Sequence, residues 1–146
     1  MEKGTSNLPI LLSIFQTFTF AMKLNHLNIA VPDVAATRSF FESFFGFRCV
    51  ETKGQDVLSV LSDDHGFVLI LSNFKKELVP EYPRDFHVGF LLRDGVDEVN
   101  RLYERMKSSG FEASPPKNFH GSWGFYVAAP GGFMVEVSSY PDEVLR

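Results

Sequence analysis

Glu136 is an acidic residue in an apolar segment, a position that calls for a chemical explanation. It lies inside the apolar run Phe-Met-Val-Glu-Val at 133–137, and burying an unpaired ionised carboxylate costs several kcal/mol. The carboxylate must therefore be paired with another group, face water or be neutralised by a metal ion. Tyr126 precedes Glu136 by ten residues. On adjoining strands this spacing points the phenol to the same side of the sheet.

Two histidines begin closely similar segments. His26 opens the sequence HLNIAVPD and His87 opens HVGFLLRD, and each segment has an aspartate seven positions after the histidine. A strand histidine taken alone is more often a hydrogen-bonded structural residue than a ligand. With both histidines and Glu136 on one face, a metal site becomes the favoured hypothesis.

A second pair of matched segments follows at a fixed offset. GFVLILS at 66–72 aligns with GFMVEVS at 132–138, an offset of 66 residues. Two matched blocks in the same order indicate an internal duplication. The chain is therefore predicted to contain two copies of one β-α-β-β-β unit, an α+β fold.

The elements of each copy have recognisable starts and stops. Asp33 and Asp94 follow the first strands and are predicted to be helix N-caps. Gly46 and Gly110 are predicted to end the helices at the C′ position. Further strands are predicted near 47–53, 57–62, 67–72, 111–113, 122–128 and 133–139. The linker between copies is 73–85, with Pro80 and Pro83.

Strand alternation divides the residues into two faces. The apolar face, which must pack against the helices, holds Leu27, Ile29, Val31, Phe67, Leu69, Leu71, Val88, Phe90, Leu92, Phe133, Val135 and Val137. The opposite face holds His26, Asn28, Ile70, Ser72, His87, Gly89, Tyr126, Met134, Glu136 and Ser138. A solvated face would carry lysine and arginine, and this set has neither. It is typical of a cavity lining.

Composition excludes several classes of function. The 146 residues are 45% hydrophobic with a net charge of −4, which gives no basic surface for nucleic acid. The single cysteine, Cys49, cannot form an intrachain disulfide, so a reducing compartment, the cytoplasm, is predicted. Residues 8–22 are apolar but too short and too polar for a transmembrane helix, and no membrane partner is expected.

The first residues read differently from the rest. Residues 1–21 are interpreted as an added arm or a start-site artefact, since Met22-Lys23-Leu24 resembles a natural beginning. Residues 22–146 are predicted to form one domain made of modules 22–73 and 85–140.

The sequence resembles the vicinal oxygen chelate superfamily, which includes glyoxalase I, extradiol dioxygenases, fosfomycin-resistance enzymes and bleomycin-resistance binding proteins. The resemblance covers roughly residues 22–140, through LNHLNIAVPDVAATRSFFESFFGFR, DFHVGFLL and FYVAAPGGFMVEV. It implies that the paired modules form a cup-shaped mixed sheet with helices on its outer face. Such cups hold a divalent metal. Two-module members are commonly homodimers, in some of which modules from two chains complete the cup, and the resemblance therefore implies a homodimer here.

The resemblance also implies a ligand set. The positions that bind metal in the family are here His26, Ile70, His87 and Glu136. Ile70 departs from the pattern and leaves two histidines and one carboxylate. One divalent ion per chain is expected, Fe(II), Mn(II), Zn(II) or Ni(II), with coordination positions open for a small substrate that chelates through vicinal oxygens.

Other face residues are given roles on the same basis. Tyr126 and His120 are predicted to be catalytic, although a packed tyrosine and a solvated loop histidine are the alternatives. Asn28 and Ile70 are predicted to contact substrate. His65 is predicted to lie on a turn without a chemical role.

The choice of reaction stays open. Ile70 disfavours glyoxalase I activity, and the segment 117–124 matches fosfomycin-resistance transferases poorly. Extradiol dioxygenases fit loosely through Tyr126 and His120. The prediction is a metal-dependent lyase, isomerase or dioxygenase. The alternative is a metal-free binding protein of the bleomycin-resistance type, which usually lacks the His-His-Glu set.

Overall fold

The structure, a computed structural model, describes residues 22–75 and 79–140. The predicted arm, 1–21, lies outside the described residues. Within them the elements follow in the order β1 His26–Ala30, α1 Val34–Phe44, β2 Arg48–Lys53, β3 Leu58–Ser62, β4 Val68–Ser72, β5 His87–Leu91, α2 Val96–Ser108, β6 Lys117–Phe119, β7 Ser122–Ala128 and β8 Met134–Ser139.

Each module forms its own four-stranded mixed sheet. The strand orders are β1-β4-β3-β2 and β5-β8-β7-β6. In each sheet the first strand pairs in parallel with the last, and the other pairs are antiparallel. The predicted α+β fold with two βαβββ modules is confirmed. In both sheets the strand that carries the histidine lies at an edge.

The helix signals are confirmed at α1 and partly wrong at α2. Asp33 caps α1, and its Oδ1 accepts a hydrogen bond from the Ala36 amide at 2.7 Å. The N-cap of α2 is Gly95, not Asp94, and no side chain caps it. Gly95 has φ 83°, a conformation that glycine adopts without steric cost. The first turn instead carries two acidic residues, which stabilise the positive end of the helix dipole.

The short strand of the second module is displaced from its predicted position at 111–113. Strand β6 is 117–119, and within 111–113 only Ala113 bridges to β7, at Val127. Pro115 and Pro116 lie between the two segments, and proline cannot donate to a ladder. The prolines therefore split one β7 neighbour into two short pieces.

The predicted division of faces is confirmed. Ile29, Leu69 and Val135 are at most 2% exposed, while Leu27 on β1 and Val88 on β5 are only half-buried. Since β1 and β5 each pair with one neighbour only, fewer side chains cover them. No helix in the described ranges is long and apolar enough to cross a membrane.

Phe41 of α1 joins the two modules. It is fully buried, and its ring centroid lies 6.1 Å from that of Phe90 on β5 and 6.4 Å from that of Phe133 before β8. Tyr82 of the linker adds a polar tie, because its hydroxyl donates to the Ala30 carbonyl at 2.5 Å. These contacts pack the two modules against each other.

Candidate active site

Three side chains of the second module meet on the face away from the helices. Tyr126 on β7 lies opposite Glu136 on β8, and its hydroxyl donates a hydrogen bond to Oε2 of Glu136 at 2.5 Å. Nε2 of His87 lies 3.3 Å from the same oxygen. The predicted parity of Tyr126 and Glu136 is therefore correct, and the carboxylate is paired.

The His87 ring is oriented by a second contact. Its Nδ1 lies 3.0 Å from the backbone oxygen of Asp85. Because a carbonyl oxygen only accepts hydrogen bonds, Nδ1 carries the proton of this contact. In the neutral ring Nε2 is then an acceptor that faces the oxygen of Glu136. Two acceptors at 3.3 Å repel each other unless a proton or a cation lies between them.

The donor set fits a divalent metal ion. Imidazole nitrogen and carboxylate oxygen are ordinary ligands of Zn(II), Mn(II) and Fe(II). The Asp85 carbonyl that holds Nδ1 of His87 is the kind of outer partner that orients a ligating histidine. A cation would also relieve the repulsion between His87 and Glu136.

The surroundings of Tyr126 keep its hydroxyl protonated. The hydrogen bond to Glu136, then burial and the negative charge of the carboxylate, raise the pKa of Tyr126 to about 12. The Phe119 ring stacks on the phenol at 5.6 Å, and the His87 ring meets it edge-on at 5.5 Å. Two aromatic neighbours therefore hold the phenol in place.

In the metal-free protein Tyr126 should ionise above the ordinary tyrosine value of 10.0. Because its folded pKa lies above the unfolded one, its contribution to stability is complete below about pH 10 and disappears as the pH rises through about 12. The check is an alkaline absorbance titration of the wild type and Tyr126→Phe. Their difference should show one late-ionising phenol, and an ionisation near 10.0 would contradict the hydrogen bond.

The corresponding face of the first module carries His26, Asn28 and Ile70. Asn28 lies opposite Ile70, and its Oδ1 accepts a hydrogen bond from the hydroxyl of buried Ser72 at 2.8 Å. Nδ1 of His26 lies 2.7 Å from Oδ1 of Asn25. Both strand histidines thus have Nδ1 beside an oxygen, so Nε2 is the nitrogen that could bind a cation.

The structure does not bring the three predicted ligands together. No cluster of three or more His, Cys, Asp or Glu side chains suited to a metal occurs in 22–75 and 79–140. His87 and Glu136 are adjacent, while His26 stands exposed on the other module's edge strand. The site of one chain therefore has two of the three predicted donors, and the assignment of His26 stays a prediction.

The remaining histidines lie on turns. His120 is exposed between β6 and β7 with φ 52°, and none of the hydrogen bonds found among the described residues links it to Glu136 or Tyr126. Its catalytic role stays a prediction. His65 is on the turn before β4, as predicted.

Sequence reasoning missed Lys117 as a member of this face. Lys117 lies opposite Gly124 in the β6–β7 pair, and cross-strand partners share a face. Gly124 is two residues before Tyr126, so Lys117 lies on the same side as the phenol. The sequence predicts no strand between 113 and 122, so strand parity could not be applied to Lys117.

A small cavity adjoins the His87–Tyr126 contact. Its volume is about 300 Å³, and its lining residues are Arg84, Asp85, Phe86, His87, Tyr126 and Met134. This is at the lower end of the usual range for ligand pockets, about 300–1,000 Å³. The cavity suits a small ligand, or one part of a larger one.

Comparison with protein families gives a direct match. The model of the Glyoxalase/Bleomycin resistance protein/Dioxygenase superfamily matches residues 23–137. This span covers nearly all of both modules and includes all the site residues above. Among curated proteins, none matches the chain significantly.

Solved structures agree with the family match. A possible glyoxalase from Bacillus cereus is 43% identical with a TM-score of 0.72, over 81% of this chain and 99% of that one. A genomically encoded fosfomycin resistance protein from Listeria monocytogenes is 18% identical, with a TM-score of 0.68 over 85% and 98% of the two chains. Lactoylglutathione lyase from Agrobacterium tumefaciens is 19% identical, with a TM-score of 0.64 over 82% and 94%. The last two likenesses concern the fold alone.

Proposed function

Because the chain belongs to the glyoxalase/bleomycin resistance/dioxygenase superfamily, we propose that it is a metal-dependent enzyme. Its substrate is a small molecule that chelates a divalent ion through two neighbouring oxygens. The observation that carries the proposal is the close approach of two possible metal ligands, Nε2 of His87 and Oε2 of Glu136, which lie 3.3 Å apart. Imidazole nitrogen and carboxylate oxygen are ordinary ligands of divalent transition-metal ions.

His87, Glu136 and His26 would hold the ion. A divalent ion bound there supplies a Lewis acid for negative charge that develops on the substrate. The protein's own residues do the rest. The Asp85 carbonyl fixes the His87 ring, and Tyr126 holds a proton beside Glu136. That hydroxyl is placed to hydrogen-bond a substrate oxygen or to transfer a proton.

Removing the Tyr126 hydroxyl should lower turnover by roughly 10²-fold, the usual scale for one positioned acid–base group. Chelator-treated protein is reloaded separately with Fe(II), Mn(II), Zn(II) and Ni(II) and assayed against catechols, 2-oxo acids and glutathione adducts. Wild type and Tyr126→Phe are compared on the first substrate found. Equal rates at equal metal content would show that Tyr126 only packs.

We further propose that the protein works as a homodimer and that His26 of the partner subunit completes the site. Strands β1 and β5, which carry His26 and His87, both have a free edge in the described part of the chain. His26 is exposed, with Nδ1 held by Asn25. A second copy would cover these edges and bring a third donor to His87 and Glu136.

Mixing two inactive variants tests the shared site. His26→Ala and Glu136→Ala should each fail to bind metal. After unfolding and co-refolding in equal amounts, about half of the dimers carry both chains, and one of their two sites has no substitution. Metal binding should therefore return to about one quarter of the wild-type amount.

A site built within one chain would give no recovery in the mixture. The His26→Ala protein co-refolded with wild type is the control, since there binding should follow the fraction of intact His26. Light scattering of the wild type should show a dimer at tens of micromolar. Finally, we propose the cytoplasm as the compartment, because Cys49 is the only cysteine in the sequence.

A further inference from the structure

The cavity beside the candidate site has a cation on its wall. Arg84 lines it together with His87 and Tyr126. Arg84 lies in the turn that leads into β5, where the Phe86 amide donates to the Pro83 carbonyl at 2.9 Å. A hydrogen-bonded turn fixes the backbone from which the guanidinium extends. The side chain is thus presented to the cavity by a defined piece of structure.

The guanidinium has no carboxylate partner in the described ranges. The ion pairs found there use Arg38, Arg48, Lys53, His87 and Arg101, and Arg84 is not among them. Guanidinium groups bind carboxylate and phosphate oxygens in a bidentate manner and stay charged at all ordinary pH values. An unpaired arginine in a ligand-sized cavity therefore favours an anionic ligand group.

The other charges near the cavity decide where the anion lies. Asp85 is on the same wall and repels an anion. The Tyr126 hydroxyl and His87 both contact the Glu136 carboxylate and partly offset its negative charge. Lys117 lies on the same face of the sheet but does not line the cavity. An anionic group is therefore favoured at the Arg84 side of the cavity and disfavoured beside Asp85.

We propose that Arg84 binds an oxyanion of the substrate, a carboxylate, phosphonate or phosphate, while the vicinal oxygens occupy the site at His87 and Glu136. The placement of the vicinal oxygens at His87 and Glu136 rests on the proposed function, whereas the binding of an oxyanion by Arg84 does not. The cavity of about 300 Å³ has room for the acidic group and a small part of the substrate. Arg84 then determines specificity by selecting acids over their neutral analogues.

The test compares two catechols that differ by one charge, 3,4-dihydroxybenzoate and its methyl ester. Their affinities for the full-length protein are measured by calorimetry, with and without added Mn(II). The wild type should bind the acid about tenfold more tightly than the ester, the scale of one charge-assisted hydrogen bond. Arg84→Gln should remove the preference without changing the affinity for the ester.

Two further variants sharpen the result. Arg93→Gln makes the same charge change on the loop beyond β5, away from the cavity lining, and should keep the preference. Asp85→Asn removes a like charge and should increase it by a few fold, because the carbonyl that holds His87 is unchanged. A preference that survives in Arg84→Gln would overturn the inference.

Equal affinity of the wild type for acid and ester would also overturn it, as would no binding of either probe at about ten millimolar, a concentration at which even weak ligands bind. Failure of the proposed function is seen separately, as no binding of Mn(II) in the absence of probes. In that case the comparison of acid and ester on metal-free protein still decides the role of Arg84.

Discussion

Replacing Glu136 with alanine should lower the affinity for a divalent metal ion by more than about 100-fold, since even the loss of an outer partner of a ligand costs 10–100-fold. Within 22–75 and 79–140, Glu136 is the only carboxylate at ion-pair distance from His87. Without it, one chain offers a single imidazole donor at this position. The change should be read by calorimetry on the chelator-treated protein.

Two controls separate ligand loss from damage to the fold. His65→Ala removes an exposed imidazole on a turn and should leave metal affinity unchanged. Glu136→Gln keeps the size of the side chain and an acceptor for Tyr126, so the fold should persist while affinity falls. Metal binding by Glu136→Ala at wild-type affinity would show that the ion binds elsewhere.

Replacing Phe41 with alanine should cost about 3–5 kcal/mol of the free energy of unfolding, as deletions of a buried phenylalanine usually do. The ring is fully buried and contacts aromatic rings of its own module and of the other, including Phe47 and Phe133. The loss is a large fraction of the usual total of about 5–15 kcal/mol. Urea unfolding measures it directly.

The matched control is Phe74→Ala. Phe74 is 67% exposed, so the same deletion should change the free energy of unfolding by less than about 0.5 kcal/mol. Similar losses in the two variants would mean that Phe41 does not join the modules as described. A large loss at Phe41 alone supports one core shared by both modules.

Local signals predicted the fold well where they acted alone. The alternation at Leu27 and Ile29, the cap at Asp33 and the glycine after α1 each correspond to an observed feature. The prediction that Asp94 is the second N-cap was wrong. It assumed that the second copy repeats the cap of the first, whereas Gly95 is the N-cap of α2, in a conformation that favours glycine.

Strand parity predicted one part of the candidate site, the shared face of Tyr126 and Glu136. Tyr126 and Glu136 pair across neighbouring strands, so their spacing predicts that they meet. The hydrogen bond between them could not be read from spacing, because it depends on the distance between two side-chain atoms. Lys117 was missed because two prolines, Pro115 and Pro116, come directly before the short strand β6. Prolines are typical of loops, so no strand was predicted there.

The position of His26 illustrates a limit of another kind. Its place at the start of β1 follows from the repeat, but its distance from Glu136 depends on how two sheets are arranged. Alternation within a strand carries no information about that arrangement. Contact between modules, or between chains, has to be measured.

The measurement closest to the central claim is a titration of the chelator-treated wild-type protein with Mn(II), Zn(II) or Ni(II). The account predicts that one ion binds per chain and that binding is lost in both Glu136→Ala and His87→Ala. If neither these ions nor Fe(II) under anaerobic conditions binds stoichiometrically, a metal-dependent enzyme is excluded. A proton between Nε2 of His87 and Oε2 of Glu136 would then account for their close approach.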